Sequence, residues 1–165
     1  MVEDRRAMEL ALEEARQALQ EDEVPVGAVL FQGERLLARA HNRTRGLGDP
    51  TAHAEVLALR MAMVRHGAGA VRGATLWVTM EPCPMCAGAL VLAKVGRVVY
   101  GCEDPKAGAA SSLFTILTDD RLNHRCRVQG GVAAEEAASL LRSFFEKRRS
   151  LARKTAERGT PEPER

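Results

Sequence analysis

Two short fragments hold residues that can do chemistry together: His53-Ala54-Glu55 and Pro82-Cys83-Pro84-Met85-Cys86. Cys83 and Cys86 stand at i and i+3, the spacing that puts two side chains on one face of a helical turn. Prolines at 82 and 84 suit a helix entrance, where a missing N–H costs little. Thiolates there are stabilised by the helix dipole and by free backbone amides. Thiolate is also the form that binds zinc. His53 and Glu55 cannot share a face of a regular helix, but side chains in a first turn lean toward the N-terminus and can converge beyond it. If two helix starts meet, a metal gains three protein ligands, His53, Cys83 and Cys86. A structural zinc site takes four, whereas a catalytic site leaves one position for water. Two thiolates cancel the charge of Zn²⁺, so water bound there is less acidic than at an all-histidine site. A nearby base then becomes useful, and Glu55 is the candidate.

Taken singly, the fragments say little. A lone Cys-x-x-Cys also serves as a redox pair, and His-x-Glu triplets are common on helix surfaces. Their combination is the stronger signal, because each fragment opens a helix and the ligand count leaves an open position.

The elements that must position these residues follow from periodicity. Met8, Ala11, Leu12, Ala15, Ala18 and Leu19 recur at helical spacing, which predicts a helix over about residues 4–20. Val26 to Phe31 reads as a strand after Pro25, with Leu36 to Ala40 as its hairpin partner across Gln32-Gly33. Residues 41–50 form a loop, and Thr51 can cap the next helix, which runs to about His66. Ala74 to Thr79 is a strand that leads into a helix from Pro84 to about Ala93. Arg97 to Tyr100 is a further strand, followed by a loop of small residues over 102–112. Leu113 to Leu117 reads as a short helix, Arg125 to Val128 as a last strand, and Ala133 to about Lys154 as a long helix. Hairpin first, then alternating helix and strand, implies a layered α/β domain with a mixed sheet and helices on both faces. Residues 1–158 are read as a single domain and 159–165 as a frayed tail.

The 165-residue length fits one domain. Only six residues are aromatic, which argues against a broad stacking surface for single-stranded nucleic acid. The net charge of +2 implies no partner by itself. Its distribution says more: Arg142, Lys147, Arg148, Arg149, Arg153, Lys154 and Arg158 are opposed in that stretch only by Glu146 and Glu157. No apolar run is long enough to span a bilayer, and the charged N-terminus has no signal pattern. These features point to a cytoplasmic protein with no membrane partner, where cysteine pairs bind metal more often than they form disulfides.

His-x-Glu followed by Pro-Cys-x-x-Cys is the signature of zinc deaminases, of which the bacterial tRNA adenosine deaminases are a type example. Other stretches extend the likeness: Val24-Pro25-Val26-Gly27-Ala28-Val29, His41-Asn42-Arg43, Gly96-Arg97-Val98-Val99-Tyr100-Gly101 and Leu122-Asn123-His124-Arg125. Asp104-Pro105-Lys106-Ala107-Gly108-Ala109 and Phe144-Phe145-Glu146-Lys147-Arg148-Arg149 point to the tRNA branch. On these stretches the chain from about Met8 to Arg153 resembles the bacterial tRNA-specific adenosine deaminases of the zinc-dependent cytidine/deoxycytidylate deaminase superfamily. The resemblance implies the cytidine deaminase-like three-layer α/β/α sandwich with a mixed five-stranded sheet. It implies hydrolytic deamination of the wobble adenosine to inosine in a tRNA anticodon, by a homodimer with one zinc per subunit. Glu55 would take a proton from a zinc-activated water that attacks C6, then deliver protons to the ring nitrogen and the leaving ammonia. Asn42 would contact the target nucleoside, Val26 would line the pocket, and the Ala54 N–H would face the base. Asp104 and Lys106 would help hold the anticodon stem-loop, with Phe144, Phe145, Arg148, Arg149 and Arg153 as the C-terminal contact surface.

Several of these residues also have ordinary readings. Asn42 can simply stabilise a turn, and Asp104 can cap one. One of Phe144 and Phe145 belongs to the core, and spacing does not say which. His41, His66 and His124 lack partners at ligand spacing and read as structural, while Cys102 and Cys126 read as free cysteines. Two other functions use the same residues: deamination of a free base or nucleoside such as guanine or cytosine, and a non-catalytic zinc-stabilised RNA-binding subunit. The basic C-terminal run argues against the first, which has no phosphates to hold. Glu55 argues against the second, since it is not a metal ligand.

Overall fold

A computed structural model describes residues 1–159. From residue 160 on, the tail expected at 159–165 lies outside the described residues. The elements in chain order are α1 (Asp4–Gln20), β1 (Gly27–Gln32), β2 (Arg35–His41), α2 (Ala54–His66), β3 (Thr75–Met80), α3 (Pro84–Leu92), β4 (Arg97–Cys102), β5 (Arg127–Gln129) and α4 (Ala134–Glu157).

The strands form one mixed sheet in the order β2-β1-β3-β4-β5. β1 runs antiparallel to both β2 and β3. β3, β4 and β5 are parallel. β2 and β3 therefore point the same way, and right-handed crossovers put α2 and α3 on one face of the sheet. α1 and α4 pack on each other on the opposite face. The result is the three-layer α/β/α arrangement. The interior strand β1 is buried from Gly27 to Phe31 with no alternation, as expected of a strand covered on both sides.

α1 turns Ala7, Met8, Ala11, Leu12, Ala15 and Ala18 inward. Small residues dominate that stripe, so the helix comes close to the sheet. At Gly27 a side chain would run into the backbone of Ala11 and Ala15, and only glycine fits the crossing. The start of α1 is fastened as well: Asp4 accepts a hydrogen bond from Trp77 Nε1 (2.9 Å) and two from the Arg97 guanidinium (2.8 and 2.7 Å). One carboxylate thus ties α1 to β3 and β4.

Most strand ends shift by a residue or two from the sequence reading, β4 running on to Cys102, and four other differences are larger or bear on the site. α2 starts at Ala54 with His53 as its N-cap, and Thr51 instead donates to Asp49 Oδ1 in a turn of the preceding loop. The short helix expected over 113–117 is a 3₁₀ turn at Ile116–Thr118. β5 spans three residues, two positions later than expected. α4 runs three residues further, to Glu157. No described helix is long and apolar enough to cross a membrane.

Candidate active site

β2 and β3 end on the same edge of the sheet, and the chain leaving each enters a helix there. Ligand sites in open α/β sheets form at such carboxyl ends. His53 is the N-cap of α2 and Cys83 the N-cap of α3, with Pro84 in the first turn. Two helix N-termini thus meet, and His53, Cys83 and Cys86 bring one ligand atom each to within 4.8 Å of one another. His53 Nδ1 lies 3.6 Å from Cys83 Sγ and 3.5 Å from Cys86 Sγ. Such a group can hold a metal ion.

Electrostatics fits that use. A hydrogen bond from Cys86, with help from His53, pulls the Cys83 thiol down to about 4. The hydrogen bond to Cys83, together with burial, pushes Cys86 upward, so the pair readily holds one thiolate. A divalent cation between them would hold both as thiolates. His53 is raised, first by its contact with Cys83. Glu55 is only 4% exposed. Burial pushes its carboxyl up to about 7, against the opposing pull of His53. A carboxyl so placed can take up and release a proton near neutrality.

Glu55, His53 and Cys83 line a cavity of about 190 Å³ with Val24, Val26, Asn42, Met80, Glu81 and Asp104. Its size suits a single small ring system rather than a large ligand. Val26 and Asn42 both line this cavity. The Ala54 N–H is different, because it donates to Asn42 Oδ1 (2.8 Å). That bond fixes the amide orientation and leaves the Asn42 NH₂ as the group free to donate. Asn42 thus both satisfies the first turn of α2 and presents a donor.

The remaining candidates divide. Lys106, Phe145 and Arg149 line a second cavity of about 320 Å³ together with Leu141 and Arg142. Phe144 is 5% exposed and Phe145 is 44% exposed. α4 therefore turns Phe144 into the core and Phe145 outward, which settles the choice that spacing left open. The Arg148 guanidinium sits 5.1 Å above the Phe144 ring and bonds the Asp22 carbonyl (3.2 Å), so it is partly held by the protein itself. Arg153 lies on the exposed far end of α4. Asp104 lines the pocket and also caps its own turn, its Oδ1 accepting from the Lys106 and Ala107 amides.

The three other histidines have structural partners. His41 lies between Glu14 and Glu21, His66 against Arg35 and the Leu37 carbonyl, and His124 against the Val95 carbonyl. Sequence reasoning missed two buried glutamates beside the pocket. Glu23 accepts from Thr44 Oγ1 and from the Arg45 and Gly46 amides, and Glu81 accepts from the loop after β4. The available signal was the loops themselves. Short segments of small residues that cannot form helix or strand need acceptors for their amides.

The family model for MafB19-like deaminase matches residues 2–149. The tRNA-specific adenosine deaminase of Agrobacterium fabrum (strain C58) is 47% identical over 149 residues, 90% of this chain and 98% of that protein. The protein of the same name from Bacillus subtilis (strain 168) is 43% identical over 157 residues, 93% of this chain and 98% of its own. A solved structure from studies of A-to-I editing by tRNA:A34 deaminases at the wobble position of transfer RNA superposes with a TM-score of 0.79 at 47% identity. It covers 82% of this chain and 99% of that one. A guanine deaminase from Nitrosomonas europaea superposes with a TM-score of 0.73 over 87% of this chain and 85% of its own. At 23% identity it shares the fold alone.

Proposed function

The chain belongs to the MafB19-like deaminase family, and from that premise we propose that it is a zinc-dependent tRNA adenosine deaminase, converting the wobble adenosine of an anticodon to inosine. The observation that carries this reading is Glu55, a buried carboxyl facing the same small pocket as His53 and Cys83. The Agrobacterium fabrum and Bacillus subtilis relatives, at 47% and 43% identity and both named tRNA-specific adenosine deaminase, support the substrate.

The donor set supports zinc as the metal. Tetrahedral zinc with a nitrogen and a sulfur ligand sets those atoms roughly 3.6 Å apart. The two separations found here are 3.6 and 3.5 Å. His53, Cys83 and Cys86 would hold the ion. Zinc in that place supplies a Lewis acid that makes water nucleophilic at neutral pH.

The chain's own residues do the rest. Glu55 takes a proton from the attacking water as the oxygen bonds to C6 of adenine. It passes that proton to N1, and the exocyclic nitrogen leaves as ammonia with the water's second proton. Adenosine and water thus become inosine and ammonia. The Asn42 NH₂ orients the nucleoside, while Val26 and Met80 give the base an apolar wall. Lys106, Phe145, Arg149 and Arg153 hold the anticodon stem-loop, and Arg148 joins them by leaving Asp22. Phe144 supports this surface from the core. A substrate of that kind places the enzyme in the cytoplasm. The enzyme acts as a homodimer, a reading supported by exposed apolar side chains at Val64, Met85, Leu92, Leu113 and Phe114.

The test is a single-turnover assay on a synthetic anticodon stem-loop with a wobble adenosine, beside free adenosine, guanine and cytosine. Inosine from the stem-loop alone is expected. Turnover of a free base with none of the stem-loop would replace the tRNA reading with that of a free-base deaminase.

A further inference from the structure

We propose that Glu81 is a positioning residue for the substrate: its carboxylate fixes the loop over residues 104–112 so that Asp104 stands in the pocket of Glu55 and Lys106 in the groove along α4. What the loop positions rests on the RNA-deaminase reading, whereas the clamp itself rests on geometry.

Glu81 follows β3, two residues before Cys83, and is 3% exposed. A carboxylate is costly to bury unless its oxygens are satisfied. Here the loop alone satisfies them. Oε1 accepts from the amides of Ala110 (3.1 Å), Ser111 (2.8 Å) and Ser112 (2.9 Å). Oε2 accepts from the Asp104 amide (3.0 Å) and from the Ser112 hydroxyl. Both ends of the loop are thus drawn onto one side chain. The Ala109 amide bonds the Pro82 carbonyl (2.8 Å) and ties the middle to the turn that carries Cys83. Gly108 lies directly over the carboxylate, where a methyl group would collide with it and with the Asp104 carbonyl. The loop has glycine where the clamp needs closest approach.

The position of this loop bears on substrate. Asp104 lines the cavity of Glu55, and Lys106 lines the basic groove with Arg142, Phe145 and Arg149. The stretch from 104 to 106 is therefore the bridge between the two cavities. Its turn is closed by Asp104 itself, whose Oδ1 holds the Lys106 and Ala107 amides. Fixing the Asp104 amide consequently fixes Lys106. Glu81 borders the cavity where a base reacts, but both of its oxygens are taken up by the loop, so it acts by setting the distance from that cavity to the groove where the flanking backbone is held.

Glu81→Gln tests this selectively. If the amide oxygen keeps the three N–H groups at 110–112, the NH₂ must face the Asp104 N–H, and that end of the loop is released. The Ser112 hydroxyl can turn to accept. Hydrogen exchange on the full chain should show the amides of Asp104, Lys106 and Ala107 exchanging about tenfold faster, while 110–112 stay protected. Zinc content should be unchanged. KM for the stem-loop should rise about tenfold with kcat within about threefold, the pattern of lost positioning. Gly108→Ala displaces the loop from the other side and should give the same split. Unchanged exchange, or a wild-type KM, overturns the proposal. Loss of zinc would do so too, by making Glu81 a support of the metal turn. If the wild type fails on the stem-loop, the substrate reading falls and the exchange result alone judges the clamp.

Discussion

Replacing Asn42 with alanine removes the acceptor of the Ala54 N–H, and Ala54 is fully buried between His53 and Glu55. The amide is buried, so losing its acceptor costs up to what an unsatisfied buried donor costs, about 1–3 kcal/mol, less whatever water entering from the adjoining cavity restores. For a chain of this size that is a fall in Tm of roughly 2–12 °C. Asn42→Asp separates the two jobs of the side chain. The carboxylate still accepts from Ala54, and negative charge at a helix N-terminus is favourable, so Tm should stay within a few degrees of wild type. The NH₂ donor is lost, however, and kcat/KM on the stem-loop should fall about tenfold to a hundredfold, the effect of about 1.4 to 2.7 kcal/mol in the transition state. Thermal unfolding and single-turnover kinetics on both variants decide the matter. An unchanged Tm for Asn42→Ala would refute the capping argument. Wild-type kcat/KM for Asn42→Asp would refute the substrate contact.

Cys83→Ala and Cys86→Ala should each lose zinc, as read by elemental analysis; full metal content in both would remove them as ligands. The Arg97 guanidinium holds the Asp4 carboxyl below its usual 3.8, so its contribution to stability is complete above that pH and is lost as pH falls through the lower folded value. Tm of the wild type should therefore drop more steeply below pH 4 than that of Asp4→Asn; parallel curves would contradict the assignment. Stem-loop affinity should fall with added salt, and Arg149→Ala should flatten the log–log slope by about 0.7, one phosphate contact on a single strand. An unchanged slope would take Arg149 off the RNA surface.

The cluster of His53, Cys83 and Cys86, which could hold a metal, was legible because its chemistry is local. Two cysteines one turn apart beside prolines announce a helix start, and so does a histidine before an apolar helical stripe. Strand order was less visible, yet the alternation of helix and strand after the hairpin already implied cover on both faces. What stayed hidden depends on distant packing. Phe144 and Phe145 are equivalent in the sequence, and only the seat of α4 on β4 and α1 sends one inward. Thr51 looked like a cap because its side chain suits one, but Asp49 claims it and leaves the capping to Asn42, twelve residues before Ala54 in sequence and adjacent in space. Glu81 was passed over as one more polar residue at a strand end. Its partners lie more than twenty residues away, and only the folded loop brings them to it.

The most direct measurement is single-turnover deamination of the anticodon stem-loop by Glu55→Gln, with zinc content and Tm recorded on the same preparation. Loss of the proton carrier alone should leave one zinc per chain and a folded protein, and slow inosine formation by about 10²- to 10⁴-fold. A variant that keeps its zinc and turns over the stem-loop at the wild-type rate would contradict the assignment of Glu55, and with it the mechanism drawn from this site.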